Sequence, residues 1–180
     1  NHGVTVMSLG LMIPENESIV WRGPMLMGAL QQMLNQVQWG EQDILFVDLP
    51  PGTGDVQLTL CQKTNLSGAI IVSTPQDIAL LDARKGIDMF KRLDTPILGL
   101  IENMSSFICS GCGMTHHPFS NGSVKEEAKK LKTEFLGELP LDLDTRVASD
   151  SGVPIVASQP QNLTALAFTN LAKKIAELNF

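Results

Sequence analysis

The chain has 180 residues, of which 43% are hydrophobic and 18% are charged, a composition typical of a globular protein rather than a disordered one. The net charge of −6 argues against tight, sequence-independent binding of nucleic acid, which draws its affinity from clustered Lys and Arg. No apolar stretch approaches the roughly 18 residues that a membrane helix needs. The sequence therefore predicts neither a nucleic-acid partner nor a membrane partner.

Short apolar runs, partly β-branched, alternate with stretches that repeat apolar residues at helical spacing. In chain order the pattern predicts a strand at 4–9, a helix at 24–37, a strand at 44–47, a helix at 55–63, a strand at 69–72, a helix after Pro75, a strand at 97–101, a helix at 123–132, a strand near 135–139 and a helix at 162–178. Continuous apolar runs are typical of parallel strands buried on both faces. The predicted fold class is α/β, a doubly wound, mainly parallel sheet with helices on both faces, forming a single domain over residues 1–180.

The segment after the predicted strand at 44–47 has the chemistry of a phosphate site. In doubly wound folds ligands bind beyond the carboxyl ends of the strands, where this chain reads Asp-Leu-Pro-Pro-Gly-Thr-Gly-Asp from Asp48 onward. A carboxylate at Asp48 can orient a hydrated Mg²⁺, and a rigid Pro-Pro pair at Pro50 followed by Gly52 can bring backbone N–H groups close to a terminal phosphate. The alternative is a plain strand-to-helix turn, capped by Thr53 or Asp55. The whole string favours the nucleotide interpretation.

Two of the three cysteines, Cys109 and Cys112, form a Cys-x-x-Cys pair whose thiolates suit Zn²⁺ or an iron–sulfur centre. A redox dithiol is disfavoured because the pair follows a strand instead of opening a helix. A zinc site completed by His116 and His117 would have unusually short spacing between its ligands. A 4Fe–4S cluster usually takes four thiolates, which two chains related by a two-fold axis can offer together. The cluster is favoured over zinc, and Cys61 is predicted to be a buried structural thiol.

Further motifs run, in order, from the first residues nearly to the end of the chain. They are Trp21-Arg22-Gly23-Pro24, Val37-Gln38-Trp39-Gly40, Ser73-Thr74-Pro75-Gln76-Asp77, Asp82-Ala83-Arg84-Lys85-Gly86, Glu102-Asn103-Met104-Ser105 and Gly137-x-Leu139-Pro140-Leu141. Together with the string at Asp48 and the cysteine pair, they resemble the Mrp/ApbC family of iron–sulfur cluster carriers.

The resemblance implies a MinD/ParA-related P-loop ATPase whose paired subunits bind ATP near a shared interface. Asp48 would be the catalytic, Walker B-type acid, and Gly52 would belong to a switch that senses the γ-phosphate. Pro50 and Thr53 lie in the same nucleotide-binding stretch, and Asn103 would contact the base. The alternative for Asn103 is a purely local turn, which Asn often makes just after a strand.

The chain departs from the family pattern in one respect. The family carries a glycine-rich loop with lysines near its N-terminus, which supplies an N–H cradle, a Lys and a Mg²⁺-binding hydroxyl. The early glycines of this chain are Gly3 and Gly10, with no Lys nearby. We therefore expect the chain to be the C-terminal part of a P-loop ATPase domain, truncated at its N-terminus, that binds ATP weakly or not at all, whereas the full-length protein would hydrolyse ATP.

The resemblance and the cysteine pair together predict an ATP-dependent iron–sulfur cluster carrier. A labile 4Fe–4S cluster would lie between the two subunits of a homodimer and pass to apo iron–sulfur proteins, with ATP and Mg²⁺ as further cofactors. One alternative is a ParA/MinD-type partitioning ATPase, against which the acidic charge and the cysteines count. The other is a zinc-stabilised interaction module without enzymatic activity. The expected compartment is the cytoplasm, with the mitochondrial matrix as the alternative.

Overall fold

The computed structural model describes residues 2–12, 14, 23–50, 52 and 54–178. The chain falls into two compact units, Asn1–Asn65 and Leu66–Phe180, which we call the N-terminal and C-terminal units. Within the described ranges, no helix is long and apolar enough to cross a membrane.

The N-terminal unit contains a short 3-10 helix, Leu9–Met12, and two α-helices, α1 (Gly23–Asn35) and α2 (Asp55–Lys63). Both α-helices agree with the sequence prediction. They pack against each other and bury Ala29 and Leu30 of α1 and Leu60 of α2.

The two strands predicted in this unit are wrong. Residues 44–47 have no regular secondary structure, and neither do residues 4–8, which lead into the 3-10 helix. Ile44, Leu45 and Phe46 are 40%, 46% and 67% exposed. A strand needs partners for its backbone N–H and C=O groups, and the described residues of this unit contain no β-ladder. An apolar run without such a partner stays irregular.

The C-terminal unit is a sheet with helices. Its strands are β1 (Ala69–Ser73), β2 (Ile97–Ile108), β3 (Thr115–His116) and β4 (Phe135–Leu141). Its helices are α3 (Asp77–Arg92), α4 (Ser123–Leu131), α5 (Leu143–Asp150), α6 (Ile155–Ser158) and α7 (Leu163–Ala176). The strands and helices predicted in this part of the chain are confirmed, whereas β3, α5 and α6 are additional to the prediction.

Strand β2 lies between β1 and β4 and is parallel to both. Leu100 is in register with Ile71 of β1 and with Phe135 of β4. At its far end β2 pairs antiparallel with β3, where Phe107 lies opposite His116. This open, mainly parallel sheet confirms the predicted architecture, although β2 continues seven residues beyond its predicted end at Ile101.

Adjacent residues of β2 point to opposite faces of the sheet and pack against different helices. On one face, Leu100 forms a buried cluster with residues of α3 and α4, namely Leu80, Ile87, Val124 and Ala128. On the other face, Ile101 packs with residues of β4 and α7, namely Leu136, Leu139 and Leu171. Helices therefore cover both faces, as the doubly wound prediction requires.

Gly99 of β2 provides the space that Leu136 of β4 occupies. A Cβ atom at position 99 would lie 2.5 Å from Cγ of Leu136 and 3.0 Å from the carbonyl oxygen of Glu134. Leu136 is only 2% exposed, so an added methyl group at position 99 would press against a buried side chain. The two strands approach closely because residue 99 has no side chain.

We expect Gly99→Ala to lower the free energy of unfolding by about 1–3 kcal/mol, the usual cost of overpacking a core. Gly86→Ala on α3 is the matched control, because no atom beyond its chain neighbours and its own helix backbone lies within 4 Å of its Cβ position. The control should be neutral or stabilising by up to about 1 kcal/mol, since Ala favours a helix over Gly. Chemical denaturation of both variants would test this, and equal stabilities would contradict it.

Helices α3 and α4 are joined by a bidentate ion pair. Nε and Nη2 of Arg84 donate to Oε1 and Oε2 of Glu127, each at 2.6 Å. The Glu127 side chain is 6% exposed, whereas that of Arg84 is 47% exposed. The hydrogen bond from Arg84 lowers the pKa of Glu127 below its usual 4.5 in spite of the opposing effect of burial. The pair links two helices on one face of the sheet.

We expect Glu127→Gln to be less stable than the wild type at neutral pH and this difference to shrink in acid. Because the folded-state pKa is lower than the unfolded one, the carboxylate stabilises the fold above the unfolded pKa, near 4.5, and this contribution is lost as the pH falls through the folded pKa. Unfolding curves between neutral pH and pH values below 4.5 would measure it.

Glu126→Gln serves as the control for this pH dependence. Glu126 also forms an ion pair, with Lys129 at 2.7 Å, but both side chains are more than 60% exposed. Exposed pairs contribute little to stability, so this variant should resemble the wild type near neutral pH. A pH-independent difference between Glu127→Gln and the wild type would count against the ion pair.

Candidate functional site

The predicted nucleotide-binding residues of the N-terminal unit lie on the segment before α2. Asp48 and Pro50 are exposed. Gly52 has a φ angle of +97°, which favours glycine, and there is open space at its Cβ position. Thr53 lies outside the residues that the structure describes. The parts that Asp48, Pro50, Gly52 and Thr53 play in nucleotide binding stay predictions.

Gln57, which is absent from the predicted site, holds both ends of the segment 50–54. Its Nε2 donates to the Pro50 carbonyl at 2.6 Å, and its Oε1 accepts from the Gly54 amide at 3.0 Å. The residue is only 3% exposed. Gly54, rather than either predicted residue, is the N-cap of α2. A Gln three residues after a helix N-cap is a local sequence signal for this capping arrangement.

We expect Gln57→Ala to lower the free energy of unfolding by about 1 kcal/mol, as loss of a helix cap usually does. It should also speed hydrogen exchange in the first turn of α2, because the Gly54 amide loses its acceptor. Gln31→Ala, an exposed position on α1, is the control and should leave both measurements unchanged. Slow exchange retained in Gln57→Ala would show that the side chain does not hold the helix start.

In the C-terminal unit, Asn103 lies within β2 instead of following a strand. Its side-chain oxygen accepts from the Met104 amide at 3.0 Å, and Met104 has a φ angle of +56°. This contact within the chain matches the local alternative for Asn103. Its contact with a nucleotide base stays a prediction.

Glu102, also absent from the predicted site, is fully buried, with 0% exposure. Its carboxylate oxygens accept from the Val124 amide at 3.0 Å and from the Gly122 amide at 3.4 Å. These amides lie at the start of α4, where helix N–H groups lack partners within the helix and a negative charge is favourable. Glu102 therefore fastens the N-terminus of α4 to the central strand.

Cys109 and Cys112 lie in the turn that joins β2 to β3, which we call the cysteine hairpin (residues 106–116). The Cys109 amide donates to the Met114 carbonyl at 2.9 Å, and the Gly113 amide donates to the Cys109 carbonyl at 2.8 Å. Gly113 has a φ angle of +72°, which lets the chain reverse. Cys112 is exposed and Cys109 is half-buried, and the turn holds both residues just beyond the end of β2 at Ile108.

The turn also makes Cys109 more acidic. Hydrogen bonding from the Gly111 backbone, followed by contributions from the backbone and thiol of Cys112, lowers the pKa of Cys109 below its usual 9.0. A lower pKa increases the thiolate fraction, and the thiolate is the form that binds a metal. The third cysteine, Cys61, predicted to be a buried structural thiol, is half-buried on α2 in the N-terminal unit.

The histidines near the cysteine hairpin are both exposed. His116 lies on β3, and Nδ1 of His117 is 2.8 Å from the Ser105 carbonyl oxygen. In the part of the chain that the structure describes, no group of three or more His, Cys, Asp or Glu side chains is arranged to hold a metal ion.

The open, mainly parallel sheet with helices on both faces is the fold of the P-loop NTPase class. A family model described as ParA, NUBPL iron-transfer P-loop NTPase, matches residues 1–176. The chain belongs to this family, and the resemblance drawn from its motifs is thereby confirmed.

Curated relatives carry matching names. The iron-sulfur cluster transfer protein NUBPL of Dictyostelium discoideum is 49% identical over 175 residues, which cover 97% of this chain and 54% of that protein. The iron-sulfur protein required for NADH dehydrogenase, mitochondrial, of Arabidopsis thaliana is 47% identical over 98% of this chain and 56% of its own length. The chain thus spans about half the length of the curated relatives it matches.

A solved structure agrees with the fold. The nucleotide-binding protein of Archaeoglobus fulgidus, in complex with ADP, superposes with a TM-score of 0.66 at 39% sequence identity. The match covers 79% of this chain and 57% of that protein. The predicted fold class is therefore supported by the sheet itself and by a related experimental structure.

Proposed function

We propose that the protein is an ATP-dependent carrier of iron–sulfur clusters that binds a labile 4Fe–4S cluster through Cys109 and Cys112. The observation that carries this proposal is the cysteine hairpin. It presents two thiols within four residues at the end of the sheet, one of them with a lowered pKa. The names of the relatives from Dictyostelium discoideum and Arabidopsis thaliana support the same function.

The number of thiolates argues for a second subunit. A 4Fe–4S cluster usually takes four Cys ligands, whereas the hairpin of one chain provides two. In a two-fold homodimer, both pairs can meet on the axis and complete the ligand set. A cluster bound at such a subunit interface becomes exposed when the subunits separate. This suits a carrier that transfers the cluster to apo iron–sulfur proteins.

On the nucleotide side, Asp48 is proposed as the catalytic acid that orients a hydrated Mg²⁺. Pro50, Gly52 and Thr53 would lie along the terminal phosphate of ATP, and Asn103 would contact the base. The exposure of Asp48 and the positive φ of Gly52 are compatible with an approach of phosphate to the backbone. The ADP complex of the Archaeoglobus fulgidus relative supports a nucleotide role.

The proposed recipients are apo iron–sulfur proteins, and the name of the Arabidopsis thaliana relative supports NADH dehydrogenase as one destination. That relative is mitochondrial by name, which supports the mitochondrial matrix as an alternative to the cytoplasm.

Anaerobic reconstitution of the chain with iron and sulfide tests the cluster site. We expect about four iron and four sulfide per two chains, with visible absorbance and a dimer by light scattering. The variant Cys109→Ser/Cys112→Ser should lose the absorbance and the bound iron while keeping the same fold by circular dichroism, because Ser cannot supply thiolates.

Cys61→Ser is the matched control, because it removes a thiol from a different unit, and it should bind as much iron and sulfide as the wild type. Full occupancy in the double variant would refute the proposed site. Tightly held zinc without sulfide, lost in the double variant, would favour the zinc-stabilised module instead.

A further inference from the structure

The cysteine hairpin has few hydrogen bonds of its own. Strands β2 and β3 are in register at only two positions, Phe107 with His116 and Ile108 with Thr115. Beyond them lie the two turn bonds at Cys109 and Gly113. A short two-stranded hairpin is marginally stable in water, so its conformation depends on contacts at its base.

The ring of His117 makes one such contact. Its Nδ1 lies 2.8 Å from the carbonyl oxygen of Ser105, so the bond joins the chain just before the cysteine hairpin to the chain just after it. A carbonyl oxygen only accepts hydrogen bonds. The proton of this bond must therefore be carried by Nδ1 of His117.

The Ser105 end of this bond is firmly placed. Ser105 is 3% exposed, and its hydroxyl donates to the Leu139 carbonyl of the neighbouring strand β4 at 3.3 Å. The carbonyl that His117 contacts therefore belongs to the sheet. The hydrogen bond joins the chain that leaves the cysteine hairpin, at His117, to β2 at Ser105.

We propose that His117 is a positioning residue for the cysteine pair, which closes the base of the cysteine hairpin through Ser105 and so slows the release of the cluster. The inference rests on the proposed function, because the cargo is the cluster bound at Cys109 and Cys112. His117 itself is not a ligand in this proposal. Its effect is to reduce the range of positions that the two thiols sample, and so to favour both bonds to one cluster at once.

Substitutions at position 117 separate this role from simple loss of a ring. In Asn, the side-chain amide nitrogen can occupy the place of Nδ1 and donate to Ser105, whereas the longer Gln places its amide near the position of Nε2. We expect His117→Asn to keep the slow cluster release of the wild type, and both His117→Ala and His117→Gln to release the cluster faster. His116→Ala is the matched control, since no hydrogen bond of the His116 ring is found among the residues that the structure describes.

The first measurement is the rate at which a chelator removes iron from the reconstituted protein. We expect His117→Ala and His117→Gln to bind the same amount of iron and sulfide at saturation, because all thiolates remain. They should release the cluster about threefold to tenfold faster, the usual effect of losing one hydrogen bond. His117→Asn and His116→Ala should match the wild type.

The second measurement is amide hydrogen exchange of the protein without a cluster, which is independent of the proposed function. In His117→Ala the Cys109 and Gly113 amides should exchange faster, while the Leu100 amide, bonded to the Glu134 carbonyl in the sheet, should be unchanged. If the wild type takes up no cluster, the proposed function fails and the exchange data still decide the role of His117.

Three results would overturn the inference. One is identical cluster release and identical exchange in His117→Ala and His116→Ala. Another is faster exchange at Leu100 as well as in the cysteine hairpin, which would indicate general destabilisation of the sheet. Failure of His117→Asn to restore slow exchange would likewise contradict the proposed bond to Ser105.

Discussion

Strand β2 is the constraint on which the C-terminal unit depends. Its backbone is paired with β1 on one side and β4 on the other, which satisfies the N–H and C=O groups that burial would otherwise leave without partners. This pairing fixes which way Leu100 and Ile101 point, and so which helices each of them buries. The same strand then anchors α4 through Glu102. The pairing of this one strand therefore sets the sheet, the two core clusters on its faces and the anchoring of the start of α4.

Apolar runs predict a strand correctly where a neighbouring strand is available to pair with it. They fail where strand formation depends on hydrogen-bond partners that are distant in the sequence. The run at 44–47 is wholly apolar, like the run at 69–72, but only the latter has a neighbouring strand, β2, to pair with. The last seven residues of β2 lie outside the strand that the apolar pattern predicts, because their polar side chains break that pattern. Glu102 and Ser105 are polar, and the groups that satisfy them, the Val124 amide and the Leu139 carbonyl, lie 22 and 34 residues away.

The features of the candidate site also divide into those that local sequence predicts and those that depend on contacts between distant residues. The cysteine pair can be recognised in the sequence because two thiols at Cys-x-x-Cys spacing suit a metal or cluster. Gln57 also carries a local signal, since it lies three residues after the helix N-cap Gly54. The hairpin that presents the cysteines is not visible, since β3 is only two residues long. The contact of His117 joins residues 12 positions apart, a relation that depends on the reversal of the chain at Gly113.

The length of β2 has a mechanical consequence. It carries Asn103 in its middle and delivers Cys109 directly after its last residue, Ile108. At the rise of a strand, these two positions are separated by at most about 20 Å, along one covalent path without an intervening loop. The positive φ of Met104 and the register shift between Asn103 and Phe107 interrupt the regular pairing along that path. The distance between Asn103 and the Cys109 backbone is thus set by the strand itself, with no loop between them to adjust it.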